Sequence, residues 1–171
     1  WTAPVMTSRG GGTCTVRNAD RTVHQGIEAG ISVALLESLL AAEDRVWFNA
    51  AYSYNDFFFD GDPTYGNNRL PGVAPHHVRA ELLYRRPSGF YAGPNIEWVP
   101  KAYFADNANQ VTIDRYKLLN FRMGYDSAIS GWSAYLEARN LLDMRYISST
   151  VVVETADAAS ALFSPGTGRA I

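Results

Sequence analysis

From residue 24 onward, apolar and polar side chains exchange places at nearly every step. Between His24 and Leu36, Ile27, Ala29, Ile31, Val33 and Leu35 fall on one parity and Glu28, Gly30 and Ser32 on the other. A period of two is the mark of a strand with two unlike faces, because successive side chains leave opposite sides of a pleated backbone. The pattern predicts five more strands. From Val46 to Tyr54, Val46, Phe48, Ala50, Tyr52 and Tyr54 oppose Trp47, Asn49, Ala51 and Ser53. Val78, Ala80, Leu82 and Tyr84 oppose Arg79, Glu81 and Arg85, and Phe90, Ala92, Ile96 and Trp98 oppose Asn95 and Glu97. Pro94 weakens this fourth strand as a central one, because it brings no amide donor. Leu119, Phe121, Met123 and Tyr125 oppose Asn120, Arg122 and Gly124, and Trp132, Ala134, Leu136 and Ala138 oppose Tyr135, Glu137 and Arg139. Glu28, Arg79, Glu81, Glu97, Arg122, Glu137 and Arg139 all keep the polar parity of their own strands. The expected sheet has one apolar face and one ionic face.

Alternation does not distinguish a wall facing lipid from a sheet packed on a second layer. Connection lengths separate the two. "RPSG" and "SAISG" are tight, whereas "FDGDPTYGNNRLPGVAP", "ADNANQVTID" and the stretch from Ser148 to Gly168 are long. Short and long links in alternation put tight turns on one rim and long loops on the other, as in an outer-membrane barrel. The "ESLLAAEDR" link is longer than a tight turn, and "LLESLLAA" is compatible with a short helical turn. The expectation is therefore an all-β, antiparallel up-and-down meander, a segment of a transmembrane β-barrel. A soluble β-sandwich or small-barrel binding module is the alternative, and it would bury the same aliphatic face internally.

Composition agrees with strands: 10 Tyr, 8 Phe and 4 Trp favour pleated surfaces, and aromatics near strand ends suit interfacial girdles. A net charge of -2 with no Lys/Arg-rich run gives no attraction to nucleic acid. Cys14 is the sole cysteine, so no internal disulfide forms, and an inert thiol is expected. No stretch approaches the roughly 18 consecutive apolar residues of a spanning helix. The chain begins at Trp1 without a basic and then apolar leader, which predicts a protein that is not exported or an internal piece of one that is.

Four motifs carry a resemblance: "HQGIEAGI" (24 to 31), "NRLPGVAPHHV" (68 to 78), "EARNLLDMRYI" (137 to 147) and "SPGTGRAI" (164 to 171). In this order and spacing the chain resembles the carboxy-terminal part of TonB-dependent outer-membrane receptors, of the kind that take up siderophores. The resemblance implies a segment, residues 1 to 171, of a roughly 22-stranded barrel. It would supply about six strands and the start of a seventh, without the plug or the complete last strand. It also implies a location in the bacterial outer membrane, contact with lipid, and import of a ferric siderophore or similar nutrient. That import would be driven by the TonB complex acting through the plug. An open sheet of about six strands leaves two long edges unpaired, so the segment is expected to need the remaining strands of its receptor.

Candidate chemistry is sparse. His76 and His77 are adjacent, so on a strand their rings point to opposite faces and do not share a metal. Asp60 and Asp62 of "DGDPTYGN" have a calcium-like spacing, but the other ligands of a calcium loop are missing. No metal site and no cofactor are expected. Paired carboxylates, a Ser/His/Asp order and a phosphate-binding glycine loop are all missing from a supporting context, so no enzyme activity is expected. Aromatics and arginine near the long loops, as related receptors use, suit an anionic and partly apolar chelate. Phe58 and Tyr65 beside the first long loop, and Tyr103, Phe104, Arg115 and Tyr116 beside the second, are the candidate ligand contacts. Within "NLLDMRY", Asn140, Asp143 and Arg145 are expected where the sixth strand leaves the membrane, in reach of water.

Overall fold

The computed structural model describes residues 4–9, 13–18, 21–127, 131–156 and 162–171. Every regular element among them is a strand: β1 (Pro4–Arg9), β2 (Thr13–Asn18), β3 (Thr22–Glu37), β4 (Arg45–Phe59), β5 (His76–Arg85), β6 (Phe90–Val99), β7 (Tyr103–Phe104), β8 (Thr112–Ile113), β9 (Tyr116–Asp126), β10 (Ser133–Ala138), β11 (Ile147–Thr150) and β12 (Phe163–Pro165). Six of them form one antiparallel sheet in the order β10-β9-β6-β5-β4-β3, and β1-β2, β7-β8 and β11-β12 are separate hairpins. Each of the six long strands lies beside its neighbours in sequence, β7 and β8 being folded into the loop between β6 and β9. This is the expected up-and-down meander. The β5 strand pairs with β4 and β6, not with β10, so the Greek-key pairing that would mark a β-sandwich is not the one formed.

The register keeps the two faces apart. Asn49 lies opposite Glu81, Arg79 opposite Glu97, and Glu137 opposite Arg122. Phe48 lies opposite Leu82, Ala80 opposite Ile96, and Leu136 opposite Met123. A directly opposed pair shares a face, so the ionic and apolar sets stay separate over all six strands. The apolar face is uncovered: Ile27 is 65 % exposed, Leu82 41 % and Leu136 55 %. Much of the buried apolar material sits instead toward the long loops, in Phe59, Tyr65, Val99, Ala105, Ile113 and Ala156. The wall thus satisfies its backbone by pairing between strands while its apolar side chains stay uncovered.

Two expectations need correction. The register of β3 shifts between Ala34 and Leu36, so Leu36, not Leu35, meets Val46 on the apolar face. An extra residue on one strand leaves it unpaired and moves every later side chain by one parity. The link that follows is not helical. Asp44 is fully buried and accepts the amides of Leu39, Leu40 and Ala41 at 2.6, 2.9 and 2.7 Å, and the Tyr84 hydroxyl donates to it at 2.7 Å. One carboxylate thereby closes a turn that sequence length alone makes too long to be tight. Burial pushes the Asp44 carboxyl up, but these four donors together hold it below the usual carboxylate value.

The strand carrying Pro94 is central after all. Its ladder to β9 runs unbroken, whereas the ladder to β5 skips the pairs beside Gly93 and Pro94. The missing donor is accommodated by that gap, and a Cβ on Gly93 would overlap the carbonyl of Leu82. The links 38–44 and 86–89 lie at one rim, together with Ser127 and Trp132 at the facing ends of β9 and β10, and the loops 60–75 and 105–114 lie at the other. The centre of "SAISG", residues 128–130, lies outside the described residues, as does the side chain of Cys14.

Candidate functional site

The long-loop rim is where side chains of different strands and loops converge. On the ionic side of β4, Asn55 fixes the end of the first loop: its amide donates to the Pro75 carbonyl at 2.9 Å and its side chain to the Ala74 carbonyl at 3.1 Å. Residues 68–70 run back along the end of β4, with the Phe59 amide donating to Asn68 and the Leu70 amide to Phe57, both at 2.9 Å. The second loop is tied to the first by three kinds of contact. The Gly72 amide donates to the Phe104 carbonyl at 2.8 Å. The Asn68 side chain donates to the Asn107 carbonyl at 2.9 Å. Asn109 accepts the Arg69 amide and donates to the Arg69 carbonyl, each at 2.9 Å. Asn109 has φ 56°, a left-handed conformation that asparagine tolerates better than most residues.

These ties enclose a cavity of about 200 Å³ lined by residues that include Phe57, Arg69, Leu70, Lys101, Tyr103 and Phe104. The Arg69 guanidinium is paired with Asp56 at 2.9 Å, and Gln25 donates to the same carboxylate at 2.8 Å. Lys101 is exposed and has no ion-pair partner among the described residues. Burial pushes the Tyr103 hydroxyl up from its ordinary pKa, so it remains a neutral donor across the physiological range. The result is an aromatic and aliphatic cleft with one unneutralised cation at its edge. It is smaller than the ~300 Å³ and above of pockets that hold whole drug-sized ligands.

Of the six candidate contacts, the structure brings Tyr103 and Phe104 into this cavity. Phe58 pairs with Val23, on the parity of Tyr54 and the apolar face. Tyr65 is buried against Phe59, with ring centroids 5.0 Å apart. Arg115 and Tyr116 part company: Arg115 precedes β9 on the parity of Lys117, while the Tyr116 hydroxyl donates to Glu97 at 3.0 Å on the ionic face. The cavity also contains Asn55, Arg69 and Lys101, which sequence reasoning did not select. Arg69 lies inside the "NRLPGVAP" motif, which was the available signal.

The ionic face forms a second polar surface. Ser32 donates to Asn49 at 2.7 Å, Asn49 to Glu81 at 3.3 Å, and Arg122 to Glu81 at 2.7 Å, so one row crosses from β3 to β9. Glu97 takes His77 at 3.3 Å and Arg79 at 3.8 Å. His76 lies on the opposite face, with Nδ1 2.8 Å from the Tyr52 hydroxyl, so the adjacent imidazoles do point apart. Asp60 pairs with Arg21 at 2.8 Å and Asp62 accepts the Thr64 amide at 2.8 Å, which assigns both carboxylates to loop structure. Asn140 is buried and accepts the Met144 amide at 2.8 Å while donating to the Met144 and Thr167 carbonyls. It folds the chain back, and Ala170 then bridges to Arg139 beside the outer edge of β10.

Comparison with known proteins agrees with this architecture. The family model described as TonB dependent receptor-like, beta-barrel, matches residues 2–141. The ferrioxamine B receptors of two strains of Salmonella typhimurium are each 30 % identical to this chain over 122 residues. That match covers 67 % of this chain and 17 % of the receptors' own length.

Proposed function

Because the chain belongs to the TonB-dependent receptor β-barrel family, we propose that it is part of the wall and ligand-facing rim of an outer-membrane receptor importing a ferric siderophore. The family is one of receptors and transporters rather than enzymes. In this reading the apolar face meets outer-membrane lipid, the ionic face lines a lumen occupied by the receptor's plug, and the TonB complex drives import through that plug. The observation that carries it is the division of one continuous sheet into an uncovered apolar face and a hydrogen-bonded ionic one, with the loops of one rim welded together. A charged side chain facing mid-bilayer costs about 2 to 4 kcal/mol, which accounts for an apolar parity that excludes charge across its centre.

The relatives' name supports a hydroxamate chelate such as ferrioxamine B as the first ligand to try. A ferric chelate of this class is far larger than the rim cavity, so Phe57, Tyr103 and Phe104 would hold one arm of it beside Lys101. Uptake of radiolabelled ferrioxamine B by cells making the full-length receptor tests the reading. Uptake should depend on the receptor and stop when the inner-membrane energy-coupling complex is deleted. Uptake that persists without that complex would overturn it.

A further inference from the structure

Import leaves two of the sequence motifs, "NLLDMRY" (140 to 146) and "SPGTGRAI" (164 to 171), without a task. The structure locks them to each other. Asn140 is 2 % exposed, and while it accepts the Met144 amide at 2.8 Å it donates to the carbonyls of Met144 at 2.9 Å and Thr167 at 3.1 Å. Asp143 accepts the Arg169 amide at 3.2 Å. The Gly166 amide donates to the Tyr146 carbonyl at 2.8 Å, and a Cβ on Gly166 would overlap the Tyr146 ring. The first motif is itself anchored to the sheet. The Asn140 amide donates to the Asn120 side chain and the Leu141 amide to the Leu119 carbonyl, both at 2.8 Å, and Tyr146 packs against Tyr116 with ring centroids 4.9 Å apart. Asn140 and Asp143 have φ 50° and 52°, the left-handed region that these two residue types enter more readily than other side chains.

These contacts fix the place of Ala170. It exchanges hydrogen bonds with Arg139, the Arg139 amide donating at 2.8 Å and the Ala170 amide at 3.2 Å, on the edge of β10 that β9 does not occupy. One step further, the same ladder brings Ile171 opposite Ala138, which pairs with Phe121 on the apolar face. Ile171 is 85 % exposed, as an apolar side chain on that uncovered face would be. Alternation alone does not select this pairing. A slip of one residue would turn Ile171 to the ionic face, but a slip of two returns every side chain to its own face. The free amides and carbonyls of an open edge repeat every two residues, so registers two apart look alike to the backbone. The choice has to be made outside the ladder. Asn140, Asp143 and Tyr146 hold Thr167, Arg169 and Gly166, and a two-residue shift of that segment would break all three contacts.

We propose that the two motifs form a clasp that sets the register in which the chain from Ala170 onward is added to the open edge of β10. The occupant of that edge is the receptor's own chain, delivered in one register by Asn140, Asp143 and Tyr146. The clasp rests on membership of the barrel family and not on which nutrient is imported.

Paired cysteines in the full-length receptor, with native cysteines removed, read the register. Ala138 and Ile171 form the non-hydrogen-bonded pair next to Arg139–Ala170, with Cα atoms about 4.5 Å apart, inside the roughly 4.4 to 6.8 Å that a disulfide spans. Leu136 and Ile171 are diagonal neighbours about 7 to 8 Å apart and come opposite only after a two-residue slip. Heat-modifiable migration selects folded barrels, and mild oxidation should cross-link 138 to 171 within one molecule at least tenfold more than 136 to 171. Asn140→Ala should lower that ratio at least fivefold among the barrels that fold. Asp143→Ala, with a smaller loss, carries the test where Asn140→Ala does not fold, and Asn109→Ala, which loosens the long loops alone, should leave the ratio unchanged. An unchanged ratio in folded Asn140→Ala or Asp143→Ala, an equal fall in Asn109→Ala, a preference for 136 to 171 before any clasp residue is altered, or cross-links between molecules would each overturn the proposal.

Discussion

The two rims of the sheet solve the same problem in opposite ways. At the short-turn rim the 38–44 link satisfies its own backbone through Asp44, which collects three amides from within five residues of itself. At the long-loop rim the buried carboxylate also reaches a donor fifty residues away. Asp106 is fully buried and accepts the Gln110 and Val111 amides at 3.0 Å on one oxygen and the Ala156 amide at 3.2 Å on the other. The Asn107 amide also donates to Val153 at 3.0 Å, and Asn109 ties the same loop to Arg69. A turn that closes on itself holds one link, whereas loops that close on one another move as a unit. The difference suits the ligand-facing rim proposed above, since a preformed cavity lowers the ordering cost of binding.

The largest expected break in this contrast is Asp106→Ala. It orphans three amides, two of them in its own loop and one near the end of the chain. With each hydrogen bond to a charged group contributing about 1.5 to 3 kcal/mol, non-additively, the loss should be about 3 kcal/mol of local stability. Hydrogen exchange in the full-length receptor should accelerate in 105–113 and 150–156 together while 38–44 is unaffected. Next comes Asn109→Ala, which removes two hydrogen bonds between loops, for about 1 to 2 kcal/mol. Exchange should rise at 68–72 and 107–111, and Tyr103 should lose part of its protection from iodination. Chelate affinity should fall several-fold with the barrel still heat-modifiable.

The smallest effect is a titration at the other rim. The Asp44 carboxyl is held below the ordinary value of 3.8, so its contribution is complete above that pH and is lost as the pH falls through the lower folded value. Protection of the 39–41 amides should therefore survive acidification to about pH 4 and disappear only below it. Asp44→Asn should give the acid pattern at neutral pH, limited to 38–44. Exchange that spread into the long loops would show that the two rims are coupled through the sheet.

Parity was enough to find the six strands of the main sheet and to sort Glu81, Arg122 and Glu137 from Leu82, Phe121 and Leu136, because a period of two is a property of neighbours in sequence. The bulge at Leu35 was not legible, since an extra residue leaves the composition of a strand unchanged and shows only in its pairing. The rim was harder still. Arg69 and Asn109 are forty residues apart, and no local pattern says that they meet. Tyr103 and Phe104 stood out as aromatics beside a loop, but the residues that share their cavity, Arg69 and Lys101, look in sequence like ordinary solvated cations.

The central claim is that this sheet separates lipid from lumen. Nitroxide labels placed one at a time on cysteines at positions 81, 82, 95, 96, 121 and 122 of the full-length receptor, with native cysteines removed and the protein reconstituted in bilayers, report which phase each position meets. The account predicts that labels at Leu82, Ile96 and Phe121 collide with membrane-dissolved oxygen and are shielded from a water-soluble nickel chelate. Labels at Glu81, Asn95 and Arg122 should be shielded from oxygen. Oxygen accessibility that failed to alternate with parity, or that peaked at Glu81, Asn95 and Arg122, would contradict it.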